Sequence, residues 1–205
     1  RDQPRSRGLG DVYKRQRCLS SEGKVHYLFL WNKSLLKGKA VYDEISRMPP
    51  RFNIVMFHPE IPHNTGAAGR LALATGSRLH LVKPLGFSLD EKHVRRTGLD
   101  YWEKVDLRVW ENLEELQQNA GPEARFWYLS TKAKRTHWEA EFRRGDYLVF
   151  GQESRGLPES MLKEHADAAL TIPMPGEGSR SLNLSTAVAV VLYEGLRQTG
   201  GQNGL

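Results

Sequence analysis

Cysteine is almost missing: Cys18 is the single one in 205 residues. That excludes an internal disulfide and a multi-thiolate metal site. Long apolar runs are missing too. The nearest, Tyr27-Leu28-Phe29-Leu30-Trp31, falls far short of the roughly 20 residues a membrane span needs, and no secretory signal pattern is present. A soluble cytoplasmic protein with no membrane attachment is expected. A phosphate loop of the G-x-x-x-x-G-K-[ST] kind and a G-x-G-x-x-G turn after a strand are both lacking, which removes support for ordinary nucleotide hydrolysis and for Rossmann hydride transfer. Gly178-Ser179-Arg180-Ser181 does not match the strand–elbow–helix pattern of a serine nucleophile, so a hydrolase is disfavoured. His58 and His63 have no third ligand at helical or hairpin spacing, and no metal is expected. His93, His137 and His165 carry no ligand pattern either.

The basic balance is unevenly placed. Residues 1–50 hold 11 Lys and Arg against 5 Asp and Glu, which is the whole net charge of +6; residues 51–205 hold 19 of each. An argument for nucleic acid therefore cannot rest on the overall charge and must use local clusters. Those clusters are Arg95-Arg96, Lys132-Lys134-Arg135 and Arg143-Arg144.

Residues 1–17 are polar, rich in Arg and Gly and without periodicity, and cannot bury enough apolar surface to offset ordering entropy. Gly8-Leu9-Gly10-Asp11-Val12-Tyr13-Lys14-Arg15-Gln16 resembles translated cloning sequence, and Met48 before Pro49-Pro50 is a plausible original start. Residues 1–50 are thus expected to be a poorly ordered extension of doubtful native origin, with room for a strand and a short helix in 18–47. Residues 51–200 form the expected domain, and 201–205 a disordered tail. From Phe52 strands and helices alternate. The pattern predicts strand Phe52–Phe57, helix Thr65–Thr75 closed by Gly76, strand Arg78–Val82, a polar helical stretch Asp90–Thr97, strand Val105–Val109 and helix Asn112–Asn119. It continues with strands Arg125–Leu129 and Tyr147–Phe150, helix Pro158–His165, strand Ala169–Ile172 and helix Leu182–Arg197. Such alternation predicts an α/β domain with a mostly parallel sheet and helices on both faces.

Parallel sheets place ligands outside the carboxyl ends of their strands, and three loops there carry suitable residues. The first, His58 to Arg70, offers Asn64 as a helix cap, Gly66 and Gly69 for close approach of a backbone or a phosphate, and Arg70 one to two turns into the helix. The alternative for this loop is a plain cap with glycines that serve helix packing. The second is Gly151-Gln152-Glu153-Ser154-Arg155-Gly156-Leu157-Pro158, where Gly156 permits positive φ and Pro158 suits a first helical turn. Glu153 either orients a cation such as Arg70 or Arg155, or caps a backbone. The third runs from Ile172 to Ser185 and couples a strand end, a loop of small polar residues and a helix N-terminus, leaving unpaired backbone groups aimed at one place.

Together, Asn64-x-Gly66-x-x-x-Arg70, then Phe150-Gly151-x-Glu153-x-x-Gly156-Leu157, then Ile172-Pro173-Met174 with Ser181-Leu182-Asn183-Leu184-Ser185 resemble the three ordered motifs of the SPOUT class of RNA methyltransferases. The resemblance covers about residues 52–199. Within the class the compact chain is most similar to the branch that methylates the ribose 2′-hydroxyl of the tRNA wobble nucleotide, a cytidine or modified uridine. It implies a deep C-terminal trefoil knot, S-adenosyl-L-methionine as methyl donor, tRNA as substrate and a homodimer. By motif, the cofactor pocket would be formed near Leu129, Gly151, Gly156, Ile172, Met174, Ser181 and Leu182. The catalytic set would be Arg70, Asn64, Glu153 and Asn183. RNA contacts would come from Arg70, Lys132, Lys134, Arg135, Arg143 and Arg144. The loop Pro175-Gly176-Glu177-Gly178 is looser than the family's usual form.

The reaction requires a 2′-hydroxyl aligned with the transferred methyl and stabilisation of charge on that oxygen. Arginine keeps its proton to above about pH 12, which makes it a poor general base. Arg70 is better read as an anchor for RNA phosphate and a stabiliser of the alkoxide, with Asn64, Ser181 or Asn183 aligning the hydroxyl. Competing readings are the same chemistry on ribosomal RNA, and a catalytically silent RNA-binding module of the same fold.

Overall fold

The computed structural model describes residues 49–89 and 101–200. The helical stretch expected at Asp90–Thr97, the elements expected in 18–47 and both terminal extensions lie outside the described residues. Within them the chain runs β1 (Asn53–Phe57), α1 (Pro62–Thr75), β2 (Arg78–Val82), β3 (Leu107–Trp110), α2 (Leu113–Ala120), β4 (Phe126–Leu129), β5 (Arg135–Thr136), β6 (Tyr147–Phe150), α3 (Glu159–Glu164), β7 (Ala169–Thr171) and α4 (Leu184–Gly200).

The strands form one sheet in the order β3-β2-β1-β6-β4-β7-β5, and every pairing is parallel. Its central strands read as continuous apolar runs because both faces are covered. Successive side chains point to opposite faces, and the two cores follow that alternation. Ile54, Met56, Leu148 and Phe150 join Ala68 and Ala72 of α1 and Val188, Val191 and Leu192 of α4. Val55, Phe57 and Val149 join Leu113 and Leu116 of α2, with Met161 and Leu162 of α3 packed against them. Each fully buried Ile, Leu or Phe contributes roughly 1.5–3 kcal/mol to holding the layers together.

Several boundaries differ from expectation for local reasons. Helix α1 begins at Pro62 rather than Thr65, with Ile61 in the extended cap conformation; the fixed φ of a proline at the first helical position starts it early. Val105 is not in β3, since its N–H caps a 3-10 turn at Trp102–Lys104. Strand β5 was not anticipated, because two residues carry no period. At the last helix the start moves from Leu182 to Leu184, where Asn183 accepts from the N–H groups of Ser185 (2.9 Å) and Thr186 (3.3 Å). An oxygen at that position satisfies donors that the first turn leaves free.

A polar relay links three neighbouring strands, from the start of β1 through the middle of β2 to the end of β3. Trp110 Nε1–H donates to His80 Nδ1 (2.9 Å), so the second ring nitrogen, Nε2, carries the proton and donates to Asn53 Oδ1 (3.0 Å). Burial pushes His80 down to about 3, with Arg78 and Arg108 adding to the effect. The folded state holds this ring neutral while the unfolded chain protonates near its ordinary value of 6.5. Its contribution is therefore complete above pH 6.5 and lost as the pH falls toward 3, at a limiting slope of about 1.4 kcal/mol per pH unit. Denaturant unfolding between pH 6 and 4 should show stability falling more steeply in the wild type than in His80→Gln, by about this slope. Equal slopes in both would contradict the assignment.

Candidate active site

Loops after β1, β4, β6 and β7 meet at the carboxyl ends of the strands. They enclose a cleft of about 680 Å³ lined by Ile61, Asn64, Leu129 to Lys132, Phe150 to Leu157, Ile172, Met174, Arg180 to Leu184 and Ala187. The strand order explains the place. Chain direction across the sheet reverses beside β1, and such a switch point leaves a crevice between diverging loops.

The β6 loop is tightly closed. Gln152 N–H donates to Gly156 O (3.3 Å) and Gly156 N–H donates to Gln152 O (2.9 Å). A Cβ on Gly151 would lie 2.2 Å from the Gly156 carbonyl carbon, so no side chain fits there. Gly156 has φ +71°, the left-handed region that glycine adopts without strain.

Three polar side chains form one chain across the cleft. Asn183 Nδ2 donates to Asn64 Oδ1 (3.0 Å), and Asn64 Nδ2 donates to Glu153 Oε1 (3.0 Å). Glu153 also accepts the backbone N–H groups of Glu60 (2.8 Å) and Ile61 (3.3 Å). Its carboxylate is thus engaged at the N-terminus of α1, where negative charge is favoured. Of the two alternatives for Glu153, the capping one describes its geometry, and the cation partners Arg70 and Arg155 do not. Asn64 is correspondingly not the helix cap. It sits within the first turn, only 2 % exposed, and both ends of its amide are used to join the other two loops.

Leu129, Gly151, Gly156, Ile172, Met174, Ser181 and Leu182 all line this cleft, as do Asn64, Glu153, Asn183 and Lys132. Arg70 does not line it. Its guanidinium lies over the Tyr101 ring, 4.6 Å from the centroid, and is exposed on α1. Gly69 serves packing, since a Cβ there would lie 2.6 Å from the Trp102 ring. Arg135 is tied to the protein, donating to Glu139 O (2.6 Å) and Asp167 O (3.3 Å). Lys132 Nζ pairs with Glu159 (2.7 Å) at the exposed rim. Lys132, Lys134 and Arg135 also border a second cavity of about 630 Å³. Arg143 and Arg144 precede β6 and so stand at the amino end of the strands, opposite this chain's own cleft.

Two arginines also line the cleft, Arg155 and Arg180; the sequence suggests Arg155 only as a cation partner of Glu153 and does not single out Arg180, whose position inside a motif loop is the available signal. His58 stacks on Phe57, with centroids 3.7 Å apart, and burial holds it below its ordinary value. Arg95-Arg96 and His93 lie outside the described residues. Among the described residues no cluster of metal-ligating side chains is found, and no helix is long and apolar enough to cross a membrane.

The chain is similar to several known proteins. The tRNA (cytidine(34)-2'-O)-methyltransferase of Saccharophagus degradans is 50% identical over 150 residues, covering 73% of this chain and 96% of that protein. The enzyme of the same name from Yersinia pestis is 46% identical over 153 residues, covering 72% and 94%. A structure solved for insight into the 2-OH methylation of C/U34 on tRNA superposes with a TM-score of 0.70 at 45% identity, covering 75% of this chain and 99% of that one. The methyltransferase AviRb from Streptomyces viridochromogenes, solved with AdoMet, shares the fold at 23% identity and a TM-score of 0.63, covering 79% and 62%. The family model described as SpoU rRNA Methylase matches residues 51–193, a span that contains all four loops of the cleft, and the chain belongs to that family.

Proposed function

We infer that this protein transfers a methyl group from S-adenosyl-L-methionine to the ribose 2′-hydroxyl of the wobble nucleotide, position 34, of tRNA. The observation that carries this is the convergence of three separate motif loops on one cleft, locked by the Asn183–Asn64–Glu153 chain. Relatives bearing that activity in their names cover nearly their whole length in the alignment.

A nucleoside-sized cofactor fits a cleft of about 680 Å³, which lies within the usual range for such ligands. Leu129, Ile172 and Leu182 supply apolar walls, and the backbone of 151–156 and 172–182 supplies donors and acceptors. When bound, the cofactor provides an electrophilic methyl. Asn64, Ser181 and Asn183 align the hydroxyl, the two asparagines in orientations fixed by their mutual bond and, through Asn64, by Glu153. Arg70 holds RNA phosphate and stabilises negative charge on the 2′-oxygen.

The proposal includes a trefoil knot in the C-terminal segment, supported by the insertion of β6 between β1 and β4 and by the 172–183 and 151–157 segments both lining one cleft. It also includes a homodimer working in the cytoplasm. Arg70 stands outside the cleft of its own chain, and Leu73, Val190 and Tyr193 expose apolar surface on α1 and α4. A second copy would cover those side chains and bring Arg70, Arg143 and Arg144 toward a facing cleft, with Lys132, Lys134 and Arg135 at the RNA-facing rim. Purified protein with labelled methyl donor should label total tRNA. Transfer to ribosomal RNA instead would assign the substrate to the other branch, and transfer to neither, with no cofactor binding, would overturn the reading.

A further inference from the structure

We propose that Glu60 is a positioning residue that holds the Gly151–Leu157 loop in its cofactor-binding shape. This rests on reading the cleft as the cofactor site. Glu60 and the β6 loop exchange hydrogen bonds in both directions. The Glu60 backbone N–H donates to Glu153 Oε2 (2.8 Å), while the Glu60 carboxylate accepts Ser154 N–H (2.9 Å) and Ser154 Oγ–H (2.8 Å). Two loops more than ninety residues apart in sequence are thereby closed on each other through adjacent positions, 153 and 154.

Glu60 is the firmer partner. Gly86 N–H donates to Pro59 O (2.9 Å), and a Cβ on Gly86 would lie 2.7 Å from Glu60 Cα. The backbone carrying Glu60 is therefore wedged against the loop after β2. Elsewhere the β6 loop is tied to the β1 loop and α1 through Glu153 and through Gln152, whose Nε2 lies 3.4 Å from His58 Nδ1. At its exposed tip, Ser154 and Arg155, the bonds to the Glu60 carboxylate are the ones that hold it, and its internal closure is the Gln152–Gly156 pair. Removing the carboxylate frees Ser154 N–H and Oγ together, and the loop must then be ordered when the ligand binds. That cost appears in affinity. A carboxylate suits the task because it presents two acceptor oxygens, one for each Ser154 donor, and glutamine keeps one of them.

The experiment measures binding of S-adenosyl-L-methionine by calorimetry, together with kcat and KM on tRNA and the melting temperature, for wild type, Glu60→Ala, Glu60→Gln, Ser154→Ala and Glu60→Ala/Ser154→Ala. Glu60→Ala should raise the cofactor Kd and KM about tenfold, with kcat at saturating cofactor within about twofold and the melting temperature nearly unchanged. Glu60→Gln should recover most of the affinity. Ser154→Ala should weaken binding by a smaller factor and have no further effect in the Glu60→Ala background, since the two groups act as a pair. Wild-type Kd in Glu60→Ala, or additive effects in the double variant, would overturn the proposal. Should Glu60→Ala fail to fold, Glu60→Gln and Ser154→Ala decide it: unchanged cofactor Kd in both refutes the positioning role. Failure of the wild type itself to bind the cofactor would instead refute the function on which the proposal rests.

Discussion

Replacing Arg70 with alanine is expected to lower methyl transfer to tRNA by about 10²–10³-fold, the usual cost of removing one preorganised donor to a developing oxyanion. Cofactor affinity should stay at the wild-type value, because Arg70 does not line the cleft that would hold the cofactor. Stability should hardly move. The side chain is exposed, and stacking on Tyr101 is worth about 0.5–1 kcal/mol at such a site. Arg70→Lys should recover only part of the rate, since an ammonium keeps the charge but not the planar fork that grips phosphate. Turnover assays, calorimetry and thermal melts separate these effects. A variant with normal turnover would remove Arg70 from the chemistry.

Glu153→Ala should cost both activity and stability. Its carboxylate accepts three N–H groups, from Glu60, Ile61 and the Asn64 amide. Without it those donors lose their partner, at about 1–3 kcal/mol for each that stays shielded from water. Asn64 would then be free to turn, releasing Asn183 from its orientation. We expect a fall in kcat of about 10²-fold or more with a melting temperature lowered by several degrees. Glu153→Gln should rescue only partly, since its amide nitrogen must face a donor. Wild-type kcat in Glu153→Ala would show that the Asn183–Asn64–Glu153 chain serves the fold alone.

The alternation of strand and helix was legible because apolar runs such as Tyr147–Phe150 and glycine stops such as Gly76 are local signals. The residues of the cleft were legible because each motif loop follows a strand. What joins them was not. Nothing near Glu153 in sequence announces that its partners are backbone groups of residues 60 and 61, and Asn64 reads as a cap until Pro62 is seen to start the helix early. Strand order is equally non-local: only with β6 placed between β1 and β4 does it follow that Arg143-Arg144 stand at the end opposite the cleft. The His80–Asn53–Trp110 relay spans three strands and leaves no periodic trace. The Glu60–Ser154 exchange had one available hint, an acidic residue just before a helix start, which is too common to assign alone.

The most direct measurement is nucleotide-resolution mapping of ribose methylation on tRNA incubated with the purified protein and S-adenosyl-L-methionine. The expected result is a new 2′-O-methyl group at position 34, present with wild type and missing with Arg70→Ala. Methylation at another position, or on ribosomal RNA and not on tRNA, would contradict it.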